Sequence, residues 1–204
     1  MRMIDFNLIE RIFSLSTTHF CDADLMQNIG IFNPEIKALN PHKILCGFAH
    51  TVQADDSLVP MMKALQEAKA CEVIVINDPL GKNALFGEIF CTEAKNKELA
   101  GFVTDGACRD VMGIQELEFP VYTKEIVAQK SFSQNLGTTQ IPITCGGIQI
   151  HPGDLIFGDA NGLIAIKLEN LKDLIEKAEA ILKKEQAYLI SMAEGKSFFD
   201  IRKK

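Results

Sequence analysis

Cys71-Glu72-Val73-Ile74-Val75-Ile76, then the loop Asn77-Asp78-Pro79-Leu80-Gly81-Lys82-Asn83, then the helix-like run Ala84 to Lys95, then Gly101-Phe102-Val103-Thr104 read as strand, loop, helix and strand. Both strands are short apolar runs of the kind that lie buried in a sheet. The same alternation extends upstream, with Ile44 to Val52 as strand and Val59 to Ala68 as helix. Strands alternating with helices in this way predict an α/β architecture in which at least part of the sheet is parallel.

After Pro120 the character changes to short strands separated by glycines: Val121 to Thr123, Ile141 to Thr144, Ile148 to His151, Asp154 to Phe157 and Leu163 to Ile166. Pro152-Gly153-Asp154 and Asn161-Gly162 are turn signals between them. At the front, Phe6, Ile9, Ile12 and Phe13 recur at helical spacing, so Asp5 to Leu15 is predicted as an amphipathic helix broken by Ser16-Thr17-Thr18. A second helix is expected from Asp22, as N-cap, to Ile29, with Gly30 just beyond it. The tail from Leu168 to Met192 carries Leu171, Leu174, Ile175, Ala178, Ile181 and Leu182 on one face, a closing helix suited to packing on a neighbouring subunit. No repeat or flexible linker divides the chain, so residues 1–204 are expected to form one domain, with N-terminal helices over 1–30.

A hydrophobic content of 47% with 24% charged residues fits one sizeable core. The net charge of −6 argues against binding nucleic acid, which needs a basic face to release counterions. No apolar run is long enough to span a bilayer and Met1-Arg2-Met3-Ile4-Asp5 lacks a secretory pattern, so a cytoplasmic location without membrane contact is expected. The six cysteines are widely spaced, without a C-x-x-C pair, and read as reduced core thiols, including Cys108 beside Arg109. The four histidines show no metal-binding spacing, so any metal would be held by oxygen.

Arg109 and Asp110 follow the strand Gly101 to Thr104, with Gly106 permitting a tight turn between. Such a dipeptide by itself is most often a surface ion pair or a helix cap. Upstream, the loop after Ile76 stands at the carboxyl end of a strand, where open α/β sheets bind ligands, and leads to Gly87-Glu88. A glycine inside a helix costs about 1 kcal/mol relative to Ala and suggests a close backbone approach at Gly87. Asp78 and Asp105 precede glycines in turn-like settings, His151 precedes Pro-Gly, and Thr18 and Asp22 read mainly as helix-start residues.

An Asp-containing loop after a strand, Gly87-Glu88, twenty intervening residues, Arg109-Asp110, Phe119-Pro120-Val121, Pro152-Gly153-Asp154, Gly158-Asp159 and Gly162 together resemble the RraA-like family over about Thr17 to Ile166. That family includes 4-hydroxy-4-methyl-2-oxoglutarate/4-carboxy-4-hydroxy-2-oxoadipate aldolases, regulators of ribonuclease E activity, and proteins formerly labelled demethylmenaquinone methyltransferases. The resemblance implies a three-layer β/β/α swivelling-type domain assembling as a homotrimer or hexamer. It implies a class II pyruvate aldolase acting on a small-molecule 2-oxo acid, with oxaloacetate decarboxylase activity. It casts Asp110 as the ligand of Mg2+ or Mn2+ and Arg109 as the substrate clamp. By the same resemblance, the backbone of Gly87, Glu88, Ile89 and Phe90 is expected to bind the pyruvyl carboxylate, and Glu88 to orient a metal-linked water.

No organic cofactor and no lysine Schiff base are expected. The regulators lack the Asp of the Arg-Asp pair, so Asp110 favours the aldolase branch over a non-catalytic regulator of a ribonuclease E-type partner. A longer form of the family motif has an acidic residue three positions after the Asp, where this chain has Gly113. A methyltransferase is disfavoured, since no G-x-G loop follows any predicted strand.

The bottom-up chemistry agrees with that assignment. A hard divalent cation accepts one carboxylate plus a chelating 2-oxo acid and water. Cleavage beside the 2-oxo group leaves an enolate that a fixed guanidinium can stabilise, and Arg suits this better than Lys.

Overall fold

The computed structural model describes residues 6–24 and 28–202. In chain order, α1 (Phe6–Phe13) and α2 (Thr17–Ala23) precede β1 (Ile29–Ile31), β2 (Lys37–Ala38), β3 (Leu45–Gln53) and α3 (Val59–Glu67). The middle of the chain is β4 (Glu72–Asn77), β5 (Ala84–Phe86), α4 (Glu88–Asn96), β6 (Gly101–Cys108), α5 (Val111–Glu116) and β7 (Val121–Ile126). There follow β8 (Thr138–Thr139), β9 (Ile143–Cys145), β10 (Ile148–Ile150), β11 (Leu155–Asp159), β12 (Gly162–Ile166), α6 (Leu168–Ala193) and α7 (Phe198–Arg202).

The main sheet runs β1-β12-β11-β3-β4-β6-β7-β2, with β5 added to β6 and β8 to β3. Its centre, β3-β4-β6-β7, is parallel, and its two flanks are antiparallel. This is a mixed sheet whose parallel part comes from the alternating half of the sequence and whose antiparallel part comes from the glycine-punctuated half.

Side-chain alternation along the central strands explains the layers. Val73, Val75 and Val103 point to one face, where they pack with Ile143, Cys145 and Ile150 of the β9-β10 hairpin. Ile74, Ile76 and Phe102 point to the other, against Met61 and Leu65 of α3, Cys91 of α4 and Ile114 of α5. Leu155, Phe157, Ile164 and Ile166 present the antiparallel flank to α1, α2 and α6. The result is hairpin, sheet and helices in three layers, the expected β/β/α order. Each fully buried Ile or Val on the central strands contributes about 1.5–3 kcal/mol of hydrophobic stabilisation.

Four local expectations are corrected. The second helix is Thr17–Ala23, because Ser16 caps it: its hydroxyl accepts the His19 N–H at 3.3 Å, and its own N–H donates to the His19 ring at 3.0 Å; of the expected 22–29, Asp24, Asn28 and Ile29 are not helical and residues 25–27 lie outside the described residues. Asp22 therefore lies within the helix. Gly30 is a strand residue in β1, where a methyl group would press on Ile148 Cδ1 at 2.8 Å. The run Ala84 to Phe86 is strand, not the start of a helix; its three side chains are buried against β6, and α4 begins only at Glu88. The strand before Arg109 continues to Cys108, with a register shift between Thr104 and Ala107 that takes Gly106 into a bulge rather than a turn. The proposed start of α1 at Asp5 and the Lys203-Lys204 end lie outside the described residues.

Cys71 also departs from the expected core thiols. It is exposed, whereas Cys91, Cys108 and Cys145 are buried, and all six cysteines are free. The expectation for Cys108 is met: it is wholly buried, and burial raises its thiol to about 11, Thr123 only partly offsetting this. Among the described residues no helix is long and apolar enough to cross a membrane.

Candidate active site

The pairing of β5 with the end of β6 brings the two predicted motifs together. Ala84 pairs with Ala107 and Phe86 with Cys108, and the Arg109 N–H donates to the Phe86 carbonyl at 3.1 Å. Gly87-Glu88 and Arg109-Asp110 thus leave the sheet side by side, each pair leading directly into a helix. Gly87 is the N-cap of α4 and Asp110 that of α5, and neither helix start has a side-chain cap. The first amides of α4 therefore remain donors without a partner on their own helix, suited to a carboxylate.

Asp110 adopts a left-handed conformation, φ 58° and ψ 41°, which Asp tolerates better than most residues. The twist turns its carboxylate back over Gly87. A methyl group at Gly87 would fall on Asp110 Oδ2, lying 3.0 Å from Asp110 Cγ and 3.1 Å from Arg109 Cγ. This close approach, rather than a place inside a helix, is why residue 87 is glycine. Arg109 Nε lies 3.5 Å from Asp110 Oδ2, with the two side chains 36% and 42% exposed. An ion pair that open adds little stability, and both groups stay accessible to a ligand.

Gly87, Ile89, Phe90, Arg109 and Asp110 line one cavity of about 250 Å³, together with Leu58 and Met62. Glu88 does not line it: its exposed side chain lies across Gly113 of α5. Lys130 does line it, brought in by hydrogen bonds of Gln129 and Ser131 to the backbone of Ala84, and sequence reasoning missed it. Its Nζ sits 5.1 Å from the Phe132 ring. No local pattern marks Lys130; only the pairing of its loop with β5 places it there. A larger hollow of about 430 Å³ at His151, Asp154, Lys167 and Glu169 shares no residue with this cavity. There the His151 N–H donates to Asp154 Oδ2 at 2.8 Å, as expected of a turn residue. Thr18 and Asp22 lie in α2, outside the cavity.

Asp78 and Asp105 prove to be braces of the loop beneath. Asp105 accepts the Asp78 N–H at 2.6 Å, the Asn77 side-chain amide at 3.2 Å and the Gly146 N–H at 3.2 Å, tying the β4 loop to the hairpin layer. Asp78 accepts the Asp56 N–H at 2.8 Å, but its other carboxylate oxygen is buried without a partner. Burial, reinforced by the charges of Asp56, Asp105 and Asp55 against the Asp56 hydrogen bond, raises its pKa from 3.8 to about 6. The folded chain therefore holds this proton more tightly than the unfolded chain. The associated stability is full below about pH 4 and is lost as the pH rises through about 6, amounting to roughly 2–3 kcal/mol at most. Asp78→Asn, which keeps the acceptor, is expected to flatten the fall in melting temperature between pH 4 and 7 by several degrees; an unchanged pH profile would remove Asp78 as its source.

The comparisons bear on these residues. A family model described as "RraA-like: Aldolase/RraA" matches residues 17–165, which contain the whole cavity. A Halalkalibacterium halodurans protein provisionally named a 4-hydroxy-4-methyl-2-oxoglutarate aldolase is 35% identical over 190 residues, covering 92% of this chain and 87% of its own. A crystal structure of an uncharacterized Pseudomonas syringae protein superposes with a TM-score of 0.85 at 22% identity, covering 98% of each chain. The RNA-processing inhibitor RraA from Thermus thermophilus superposes with a TM-score of 0.65 at 22% identity, over 72% of this chain and 90% of that one. With the matched segment spanning most of the sheet and the whole cavity, the chain belongs to the RraA-like family.

Proposed function

We propose that this protein is a divalent-metal-dependent class II pyruvate aldolase acting on 4-hydroxy-4-methyl-2-oxoglutarate-type 2-oxo acids, with oxaloacetate decarboxylase activity. The observation that carries the reading is the convergence of Arg109, Asp110 and the uncapped start of α4 on one cavity. The aldolase name carried by the Halalkalibacterium relative supports it.

The donor set fits a hard cation. Asp110 presents an accessible carboxylate, and among the described residues no group of three His, Cys, Asp or Glu side chains is placed to enclose a metal. Mg2+ or Mn2+ tolerates this, because it keeps positions for water and a chelating substrate. Asp110 would hold the ion, which when bound supplies Lewis acidity at the 2-oxo oxygen.

The chain's own groups do the rest. The amides opening α4, at Glu88, Ile89 and Phe90, receive the pyruvyl carboxylate, where the helix dipole favours negative charge. Arg109 donates to the oxygen that gains charge as the carbon–carbon bond breaks. Glu88 lies outside the cavity lining, over Gly113, and would act on the site only through intervening water, orienting the water that takes the proton from the substrate hydroxyl. Leu58, Met62 and Phe90 limit solvent on the apolar side. Lys130 supplies a second cation for the distal carboxylate of the substrate. On that role Lys130→Ala raises KM about tenfold, the scale of a charge-assisted hydrogen bond, with kcat held within about threefold. Loss of turnover, with borohydride trapping of substrate on the wild-type lysine, would instead assign a Schiff base.

We also assign a trimeric or hexameric assembly. Leu80, Ile89, Met112 and Leu136 are all more than three-quarters exposed, an apolar display that a neighbouring copy would cover. Sedimentation equilibrium at micromolar protein should give a trimer or hexamer, and a monomer overturns this.

Pyruvate release from oxaloacetate and from 4-hydroxy-4-methyl-2-oxoglutarate, with Mg2+ or Mn2+ and then with EDTA, tests the activity. Metal-stimulated turnover abolished by EDTA is expected. Absent or metal-independent turnover overturns the reading and favours a non-catalytic regulator of a ribonuclease E-type partner.

A further inference from the structure

We infer that Asp56, which stands outside the cavity, is a positioning residue that holds Lys130 in place and so sets a preference for 2-oxo acids bearing a second carboxylate; this rests on the role given to Lys130 above. Lys130 is exposed and lies between β7 and β8, outside both strands. A long side chain on a loose loop gains little from meeting a carboxylate, because ordering the loop and the side chain offsets the attraction. This segment is tied on both sides. Ala84 donates to the Gln129 carbonyl at 2.8 Å and accepts the Ser131 N–H at 3.1 Å. From the loop between β3 and α3, the Asp56 carbonyl accepts the Ser131 hydroxyl, and the Ser57 hydroxyl donates to the Ser133 carbonyl at 3.2 Å.

Asp56 joins that segment to the others that frame the cavity. Its N–H donates to Asp78 Oδ1 at 2.8 Å, and its carboxylate oxygens both accept from the Asn83 side-chain amide at 3.2 Å, directly before β5. Ser131, which meets its carbonyl, is buried. To face these partners at once the backbone takes φ 53°, a left-handed conformation that Asp tolerates better than most residues. Leu58, two residues on, lines the cavity, whereas Asp56 does not. Asp56 therefore acts through Lys130 and not on the ligand. Fixing the segment in advance takes its ordering out of the binding step, and only a ligand long enough to reach Lys130 benefits.

The test measures, by calorimetry with Mg2+, the binding of 2-oxoglutarate and of 2-oxopentanoate, which has the same carbon chain without the second carboxylate. Neither offers the bond that the proposed reaction cleaves, so binding is read apart from turnover. The wild type should bind 2-oxoglutarate about tenfold more tightly, the scale of one charge-assisted hydrogen bond. Ser131→Ala and Asp56→Ala should each weaken 2-oxoglutarate by about three- to tenfold and 2-oxopentanoate by less than about twofold. Asp56→Asn keeps an acceptor for Asn83 and tolerates the left-handed backbone, so it should stay within about twofold of the wild type for both ligands. In the Lys130→Ala background neither Ser131→Ala nor Asp56→Ala should weaken 2-oxoglutarate further, the signature of residues acting through one group. Amide hydrogen exchange at Ala84 and Ser131 should be at least about tenfold faster in Ser131→Ala, which reads the loosened segment even if Asp56→Ala fails to fold. Equal weakening of both ligands, a loss that persists in Lys130→Ala, unchanged exchange, or a wild type that does not distinguish the ligands overturns the inference. The expected binding pattern without pyruvate release from oxaloacetate would instead overturn the aldolase reading and leave the role of Asp56 standing.

Discussion

Asp110→Ala should abolish metal-stimulated pyruvate release while leaving a folded protein. The side chain is 42% exposed, and its contact to Arg109 at 3.5 Å is an open ion pair, so its loss costs the fold no more than about 1 kcal/mol. A second cost comes from the backbone. Residue 110 has φ 58°, and Ala accepts the left-handed region less readily than Asp, by about 1–2 kcal/mol. Asp110→Asn separates the two effects, since Asn tolerates that conformation but carries no charge. Both variants should lower metal-stimulated kcat by at least roughly 10²–10³-fold, the scale of losing the positive charge that offsets a developing oxyanion, here the cation that Asp110 would hold. Only Ala should also lower the melting temperature appreciably. If Asp110→Asn retains full metal-stimulated activity, Asp110 has no part in the chemistry.

The parallel centre of the sheet was legible because Val73-Ile74-Val75-Ile76 of β4 and Gly101-Phe102-Val103 of β6 are short apolar runs, the pattern of strands covered on both faces. The errors fall where tertiary pairing overrides local pattern. Ala84-Leu85-Phe86 has good helix formers, yet it is strand because β6 offers an edge and the helix layer offers a place for three buried side chains. Ile29-Gly30-Ile31 looks like a helix end followed by a stop, yet β12 takes it as an edge strand. The Ser16 cap was written in the sequence as a serine three residues before a side chain able to answer its N–H, but that side chain is His19 rather than the usual Glu or Gln.

At the site, the link between Gly87-Glu88 and Arg109-Asp110 was legible only through the family resemblance; in the structure one helix and one strand return the chain to the same sheet end, and β5 pairing with β6 brings the two together. Lys130 was invisible because it reaches the cavity from a loop with no motif. The place of Glu88, on Gly113 rather than in the cavity, depends on side-chain packing between two helix starts, which no one-dimensional pattern encodes.

Arg109→Lys tests whether a positive charge alone suffices. The Arg109 backbone is fixed by its N–H to Phe86 at 3.1 Å, and its guanidinium reaches forward beside Asp110. Lys keeps the charge, but as a strongly hydrated point on a flexible stem without the planar pair of donors. If Arg109 acted only by raising the local potential, Lys would preserve most of the rate and shift KM slightly. If it acts by donating in fixed geometry to an oxygen whose charge grows along the reaction, Lys should lower kcat about 10²-fold or more, equivalent to about 2.7 kcal/mol of barrier. KM should move far less, because on the proposed function the backbone opening α4, and not Arg109, would hold the pyruvyl carboxylate. Mn2+ affinity should change little, since Asp110 keeps its left-handed turn over Gly87. The geometric role therefore predicts a kcat effect separated from both KM and metal affinity. A variant with wild-type kcat and raised KM would show that Arg109 binds substrate without stabilising the developing charge.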